Sequence, residues 1–268
     1  MNRRLIHVAM AMGFILLAGC ATVKDVQRSS DLIRTDNELA RLLQDVRPEK
    51  EVSYAADVTN LAIHAKGEAD ALVKNSRGKE RDAIAYYRIA ATAYWKNGDS
   101  GDANQLFEVA DRGRALCVQL EDRAPDRDCL YLQLVIPLAA FEEEAWRTNL
   151  NGLLNEVNLY DDGLSPEEIQ TMKKIHTSLA RAKRLLDGIF DIGDKGRFET
   201  HAGMKAYYCG NAGRAKDYYS PVAGVFETKL IEIYHEFPGA TTDLDITRES
   251  AAELRKLPEL TPVCTEGN

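Results

Sequence analysis

Apolar residues recur at every third or fourth position along most of the chain. In the segment that follows Ser165, these positions are Ile169, Met172, Ile175, Leu179, Ala182, Leu186 and Ile189. This spacing places them on one face of a helix. The residues Ser165-Pro166-Glu167-Glu168 supply an N-cap, a proline in the first turn and a glutamate three positions after the cap. The pattern therefore predicts an amphipathic helix over residues 165–190.

The same period predicts further helices, which are separated by short segments that are polar or contain glycine or proline. The predicted helices cover residues 30–47, 51–75, 79–97, 101–120, 129–158, 165–190, 197–209, 213–236 and 247–256. Two of the separating segments are rich in glycine, "NGDSG" at 97–101 and "CGNAG" at 209–213. No run of alternating β-branched residues indicates a strand. The sequence therefore predicts an all-α fold without a sheet, an array of antiparallel helical hairpins over residues 30–268.

The most apolar stretch of this helical region is "LYLQLVIPLAAF" at 130–141. It is interrupted by Gln133 and Pro137, and it is too short to cross a bilayer, which takes about 20 apolar residues. We expect a buried helix with a kink at the proline.

The first residues have the pattern of a secretion signal. Arg3 and Arg4 precede an apolar stretch from Leu5 to Leu17, whose length suits the core of a signal peptide. That stretch ends in Leu17-Ala18-Gly19-Cys20, which resembles the lipobox of bacterial lipoproteins. The resemblance implies that residues 1–19 are a signal peptide and that the thiol of Cys20 receives a diacylglyceryl group. The alternative is an ordinary cleaved signal with an incidental cysteine.

The lipobox resemblance also implies a location. Acyl chains on Cys20 would anchor the mature chain in a membrane, and residues 20–29 would form the tether. Ala21 stands where lipoproteins retained in the inner membrane of an enteric-type bacterium usually carry aspartate. We therefore expect the protein at the outer membrane, facing the periplasm.

The net charge of the chain is −8 at pH 7. An acidic protein is repelled by nucleic acid and by anionic lipid head groups, so we expect no nucleic-acid partner and no membrane contact beyond the anchor. One basic ridge stands out, because Lys173, Arg181 and Arg184 share a face of the helix after Ser165. It is either a solvated face or a docking site for an acidic partner segment or an anionic wall polymer.

Four cysteines remain besides Cys20, namely Cys117, Cys129, Cys209 and Cys264. An even number in an oxidising compartment favours two disulfides, and four cysteines allow three pairings. A bond from Cys117 to Cys129 would close a short polar loop. A bond from Cys209 to Cys264 would hold the C-terminal tail on the body of the protein.

Residues 79–120 resemble a tetratricopeptide repeat, a helical hairpin of about 34 residues. The positions that carry the resemblance are Tyr87, Ala90, Ala91 and Tyr94, then Gly98 at the turn, then Ala103, Phe107 and Ala110. A degenerate echo near 197–236 has Gly213-x-Ala215-x3-Tyr219 where the first unit has Gly101-x-Ala103-x3-Phe107.

The repeat resemblance implies a scaffold for protein interactions. Its groove would be formed by the first helices of successive hairpins, and Tyr87, Arg88, Ala91 and Trp95 would lie near it. The aromatic cluster at Tyr207, Tyr208, Tyr218, Tyr219 and Phe226 is expected in the core.

Motifs for a cofactor or a metal are not found. The glycines at 98 and 101 follow a helix and lack the lysine of a phosphate-binding loop, and a calcium loop would need glycine where Asp102 stands. The histidines are not spaced like a metal pair. Two glutamates could serve an enzyme: Glu143, and Glu249, which with Ser250 resembles the Glu-Ser pair of lytic transglycosylases.

Three functional hypotheses follow. The first is a lipid-anchored periplasmic scaffold, not an enzyme and without a cofactor, that binds a protein or peptide of the cell envelope. The second is a helical lipoprotein that holds a small solute, similar to the T-component associated with some transporters; it requires an enclosed cavity lined with aromatics. The third is a peptidoglycan-active enzyme, which requires a glutamate buried in a cleft.

Overall fold

The structure is a computed structural model and describes residues 29–44, 51–76, 78–97, 102–120, 127–157, 163–194, 202–258 and 264. Within these ranges the chain is helical and contains no strand, which confirms the all-α prediction. The signal segment with Cys20, the tether before Ser29 and the turn at 98–101 lie outside the described residues. No helix in the described ranges is long and apolar enough to cross a membrane.

The helices are numbered in chain order, and a π-helical turn, Glu143–Arg147, lies between α5 and α6. Their bounds are α1 Ser30–Gln44, α2 Glu51–Asn75, α3 Glu80–Asn97, α4 Asp102–Gln119, α5 Arg127–Glu142, α6 Leu150–Glu156, α7 Pro166–Asp194, α8 Ala202–Glu236, α9 Ala240–Leu244 and α10 Arg248–Arg255.

Helix α7 begins as the sequence predicts. The backbone N–H of Ser165 donates to Glu168 Oε2 at 2.8 Å, and the N–H of Glu168 donates to Ser165 Oγ at 3.2 Å. These two bonds form a capping box, which satisfies N–H groups that the first turn cannot pair. The periodic residues from Met172 to Ile189 are fully buried, so the predicted apolar face is confirmed.

The break predicted at "CGNAG" is wrong, because residues 202–236 form one helix, α8. The apolar period continues through this segment, and its members are buried at Met204, Tyr208, Ala212, Ala215 and Tyr219. Packing of that continuous face outweighs the cost of two glycines inside the helix, which is about 1 kcal/mol each. The echo near 197–236 is therefore not a second helical hairpin.

The predicted helix over 129–158 is divided in the structure. Pro137 lies inside α5, and the helix passes into the π-helical turn at Glu143. Asn149 then adopts a left-handed conformation with φ 52°, and α6 follows it. A π-helical turn and a left-handed residue each interrupt the regular hydrogen-bond pattern of an α-helix, so the segment is three elements rather than one.

The chain divides into two compact units. Unit 1 comprises residues 1–136 and 197–207, and unit 2 comprises residues 137–196 and 208–268. The boundaries after residues 136 and 207 fall inside helices α5 and α8, which explains why no linker in the sequence marks them.

Unit 1 is built around α3. Asn97 at the end of α3 donates to Thr59, and Tyr87 donates to Asp70, so α2 and α3 run antiparallel. Every residue of α3 from Asp82 to Trp95 is buried, so the helix is enclosed on all its faces. Small side chains, mostly alanines, allow this close packing.

Helix α4 lies close to α3 at Gly113. A Cβ atom on this glycine would lie 3.1 Å from the Cβ of Tyr87 and 2.6 Å from Leu132 Cδ1. The sequence analysis did not identify Gly113. Only glycine fits this position without displacing its neighbours.

In unit 2 the π-helical turn, α6, α9 and α10 each contact α7. Helix α8 contributes aromatic side chains to the core. Tyr208, Tyr219 and Phe226 are fully buried there, as expected for core residues. The tyrosine hydroxyls donate to backbone carbonyls of other elements: Tyr219 to Leu254, and Tyr218 to Ala145 of the π-helical turn, both at 2.9 Å. Carbonyls near helix ends and breaks lack helical partners, so these bonds satisfy them.

Two disulfides join the four cysteines that the sequence analysis paired. Cys117 is bonded to Cys129 within unit 1, and Cys209 is bonded to Cys264 within unit 2. The first closes the loop between α4 and α5. The second attaches the C-terminal end of the chain to α8.

Candidate functional site

The four residues predicted near a binding groove in unit 1 are all buried. Their exposed fractions are 3% for Tyr87, 6% for Arg88, 0% for Ala91 and 9% for Trp95. The prediction of an open groove at this face is therefore wrong. Helix α3 is covered on each side, whereas a groove requires one face of the first helix to stay open.

Arg88 instead makes buried ion pairs. Its Nη2 donates to Asp36 of α1 at 2.6 Å, and its Nε lies 2.7 Å from Asp128 of α5. The Nε–H does not point at that oxygen, so the second contact is an ion pair without a directed hydrogen bond. Burial alone would lower the pKa of Arg88, but the two carboxylates raise it above its usual value. Arg88 thus stays charged and holds α1 and α5 against α3.

Two tyrosines of α3 also pair with carboxylates. Tyr86 donates to Asp31 at 2.7 Å and Tyr87 to Asp70 at 2.6 Å. The hydrogen bond from Tyr86 lowers the pKa of Asp31. Burial opposes ionisation of Asp70, yet the bonds from Tyr87 and Arg112 lower its pKa below the usual value. These contacts join helices and expose no reactive group.

A groove lies in unit 2, between α8 and α10. Its volume is about 320 Å³, and it is open to solvent. Among its lining residues Leu230 and Ala251 are fully buried, and Ile231 is 47% exposed. The complete lining consists of Glu227, Leu230, Ile231, Arg248, Glu249, Ala251 and Ala252. The lining is mostly aliphatic, with charged side chains at the rim. We call it the α8–α10 groove.

The charged side chains at the two ends of the groove contact α8. Arg255, in the last turn of α10, pairs with Glu227 of α8 at 2.8 Å. Arg248, in the first turn, lies over the ring of Tyr234 at 5.1 Å, close enough for a cation–π contact. The start of α10 is capped by Thr247, whose side chain accepts from the N–H of Ser250 at 3.0 Å. The wall of the groove is thus held at both ends.

Two further contacts hold α10 on α8. The hydroxyl of Tyr219 lies 2.9 Å from the carbonyl of Leu254 and 3.3 Å from that of Leu179, so its single proton serves the closer oxygen. The disulfide between Cys209 and Cys264 restrains the chain beyond α10. Since α10 buries only Ala251 and Leu254 fully within the helix, these contacts are needed to keep the groove formed.

The predicted basic ridge lies at the surface of α7. Arg181 and Arg184 are exposed, and Lys173 is partly buried. Arg181 has Glu144 at 3.9 Å, the limit of an ion pair, and both side chains keep some solvent access. The ridge is therefore accessible, and it is separate in sequence and structure from the lining of the α8–α10 groove.

The glutamates considered for an enzyme are exposed. Glu143 lies in the π-helical turn, and Glu249 lies at the rim of the α8–α10 groove, so neither is buried in a cleft. Among the described residues, no group of three His, Cys, Asp or Glu side chains could hold a metal ion.

The sequence analysis missed the α8–α10 groove. Its walls lie about twenty residues apart in the chain, and the intervening α9 was predicted as a break. One signal was available. Ile231 lies between the buried residues Leu230 and Ile233 but is itself exposed. A single exposed apolar residue is common in proteins, so Ile231 alone is weak evidence for a binding site.

Comparison of the chain with models of protein families, with curated proteins and with solved structures found no match. The tetratricopeptide and lipobox resemblances consequently rest on the residues quoted for them above.

Proposed function

We propose that the protein is a lipid-anchored scaffold of the bacterial envelope and that it binds a peptide or protein partner in the α8–α10 groove. The observation that carries the binding proposal is the aliphatic groove with exposed Ile231 at its side. The anchor is proposed from the lipobox residues that end at Cys20. Together they describe an acidic helical body, held at the outer membrane and facing the periplasm.

The shape and lining of the groove favour a peptide over the other two ligand classes. A bound small solute would require an enclosed cavity lined with aromatics, whereas this groove is open and its apolar residues are aliphatic. Cleavage of peptidoglycan would require a carboxyl group shielded from water, whereas Glu249 is exposed. Ile231 is exposed and Ala252 is partly exposed, so an apolar side chain of a partner segment can pack against them. The basic ridge on α7 is a candidate second contact for an acidic partner segment.

The binding proposal can be tested by site-specific crosslinking in cells. A photo-crosslinking amino acid replaces Ile231 in one strain and Val118 in another, with the Cys20 anchor intact. Val118 is the matched control, because it is also an exposed β-branched aliphatic residue, 61% accessible, but lies on α4 of unit 1. We expect a discrete protein adduct from position 231 and none at 118. Filling the groove with Ala252→Arg should remove the adduct. The same adducts from both positions, or an adduct that survives Ala252→Arg, would contradict the proposal.

The anchor is tested separately. Incorporation of labelled palmitate should occur in the wild-type chain and be absent in Cys20→Ala, and the wild type should fractionate with the outer membrane. Release of an unlabelled wild-type protein into the periplasm would show an ordinary cleaved signal instead.

A further inference from the structure

We propose that the α8–α10 groove selects a partner segment in which a lysine or arginine lies two residues from an aliphatic side chain, and that Glu249 binds the cation. This inference rests on the proposed function, since it names the chemistry of the segment that the groove would bind.

The charges at the rim are not equally available. Glu227 is paired with Arg255 at 2.8 Å, and the guanidinium of Arg248 lies over the ring of Tyr234. Within the described residues the carboxylate of Glu249 has no basic side chain within 4 Å and accepts no hydrogen bond, and it is exposed at the rim. The carboxylate of Glu249 is therefore the charged group of the groove that is left for a partner.

The position of Glu249 supports this role. It lies in the first turn of α10, where the positive end of the helix dipole stabilises a carboxylate. The whole chain carries a net charge of −8, so its field attracts cationic segments and repels acidic ones during encounter. The Glu249 carboxylate and the net negative charge of the chain favour a basic occupant at this end of the groove.

The geometry of α10 and of an extended peptide sets the spacing between the two side chains of the partner segment. Glu249 and Ala252 are three residues apart on α10, which is about 4.5 Å along the helix axis. In an extended peptide, side chains two residues apart project to the same side and lie about 7 Å apart. A leucine that packs against Ile231 and Ala252 would then place a lysine two positions away within reach of the Glu249 carboxylate, because the lysine side chain is long and flexible. A volume of about 320 Å³ is at the lower limit for a ligand site, so one aliphatic side chain is the expected guest.

The test uses the full lipidated protein in nanodiscs and three capped peptides, Gly-Leu-Gly-Lys-Gly, Gly-Leu-Gly-Glu-Gly and Gly-Ser-Gly-Lys-Gly. Binding is measured by titration NMR on methyl groups of Ile231 and Leu230. We expect the Leu-Lys peptide to bind about two- to fivefold more tightly than the Leu-Glu peptide, the range of an exposed ion pair. This preference should weaken with added salt. The Ser-Lys peptide should not shift the methyl signals.

Variants of Glu249 identify the group responsible. Glu249→Gln should bring the two leucine peptides to equal affinity, and Glu249→Lys should reverse their order. Glu249 is exposed, so both variants should fold, which circular dichroism verifies. A wild type that binds both leucine peptides equally, or a preference that persists in Glu249→Gln, would overturn this inference while leaving the groove proposal intact. If no leucine peptide shifts the methyl signals, the groove proposal itself fails.

Discussion

Helix α3 is enclosed within unit 1, and most of α8 lies in unit 2 with one face exposed. The polar side chains of these two helices have different kinds of partner. On α3, Tyr86, Tyr87 and Arg88 contact carboxylates of other helices. On α8, Tyr218 and Tyr219 donate to backbone carbonyls. Lys229 and Tyr234 also donate to carbonyls, those of Val157 and Ile246.

The difference follows from what surrounds each helix. The neighbours of α3 are long regular helices, whose own carbonyls are already paired, so the polar groups of α3 need side-chain partners. The neighbours of α8 include a π-helical turn and the ends of short helices, which leave carbonyls unpaired. Carboxylate partners change charge with pH and carbonyl partners do not. The polar contacts of α3 should therefore depend on the charge of carboxylates, and hence on acidic pH, more than those of α8 do.

The largest effect is expected at Arg88. Arg88→Met would leave Asp128, which is 2% exposed, as a buried carboxylate without its arginine partner. We expect the free energy of unfolding to fall by about 3–5 kcal/mol. Arg112→Met is the control, because Arg112 is about half exposed and its loss should cost under about 1 kcal/mol. Denaturant unfolding measures both. Equal costs for the two variants would mean that burial does not distinguish them.

The next largest loss of stability is expected from substitution of two glycines, one packed against α3 and one against α8. A Cβ at Gly113 would press on Tyr87 of α3, and a Cβ at Gly193 would lie 2.1 Å from the Tyr208 hydroxyl oxygen of α8. Either substitution by alanine should destabilise by about 1–3 kcal/mol through overpacking. Gly210→Ala is the control, since a Cβ at this position would meet no atom within 4 Å and alanine favours a helix by about 1 kcal/mol. Thermal melts should show opposite shifts for the control and for the other two variants.

A smaller effect is expected from the hydroxyl of Tyr219. Tyr219→Phe leaves the buried ring in place and removes the donor to Leu254, at a cost of about 1–2 kcal/mol. Because this bond holds α10, hydrogen exchange should rise in α10 while amides of α3 keep their protection. Uniform loss of protection in both units would contradict the local role.

The pH dependence gives the smallest effect and tests the comparison most directly. The pKa values of Asp31 and Asp70 are lowered in the folded state, so their stabilisation is present above the unfolded value near 4 and is lost as pH falls through the folded values. Each contributes under about 1 kcal/mol, because both carboxylates are about two-fifths exposed. Hydrogen exchange from pH 5 to pH 3 should show α3 losing protection before α8, and Tyr87→Phe should reduce the difference.

At alkaline pH the two units should lose stability together. Burial, with a further contribution from Asp70, raises the pKa of Tyr87 to about 12, and burial also raises the pKa of Tyr219. A tyrosine whose pKa is raised in the folded state stabilises that state below pH 10, and this stabilisation is lost as the pH rises through the folded pKa. Both units should thus weaken together in alkali. Loss of protection in α3 alone above pH 10 would contradict this account.

The sequence predicted the elements whose signals are local. The capping residues Ser165 and Glu168 located the start of α7, and the period from Met172 to Ile189 identified its buried face. The same reasoning wrongly predicted a break at "CGNAG". Glycine lowers the local helix propensity, but the helix is continuous there because Tyr208, Ala212 and Ala215 are packed on one buried face.

Less of the candidate site than of the fold could be predicted from the sequence. Glu249 was noted for its resemblance to a catalytic pair, and only the structure places it at the rim of a groove with Leu230 and Ile231. Tyr87, Arg88, Ala91 and Trp95 were predicted near a groove and are enclosed, since repeat spacing describes one hairpin and not the helices that cover it.

By itself, then, the sequence determined the all-α class, the start and buried face of α7 and the acidic charge, because these follow from periodicity, capping and composition within short stretches. Lipid attachment at Cys20 stays a prediction from the lipobox resemblance. The tertiary structure decided that α3 is enclosed, that Arg88 pairs with carboxylates 52 and 40 positions away, and that α8 and α10 leave an open groove. Those outcomes depend on which distant helices pack together, and the free energy of that packing is shared among residues far apart in the chain.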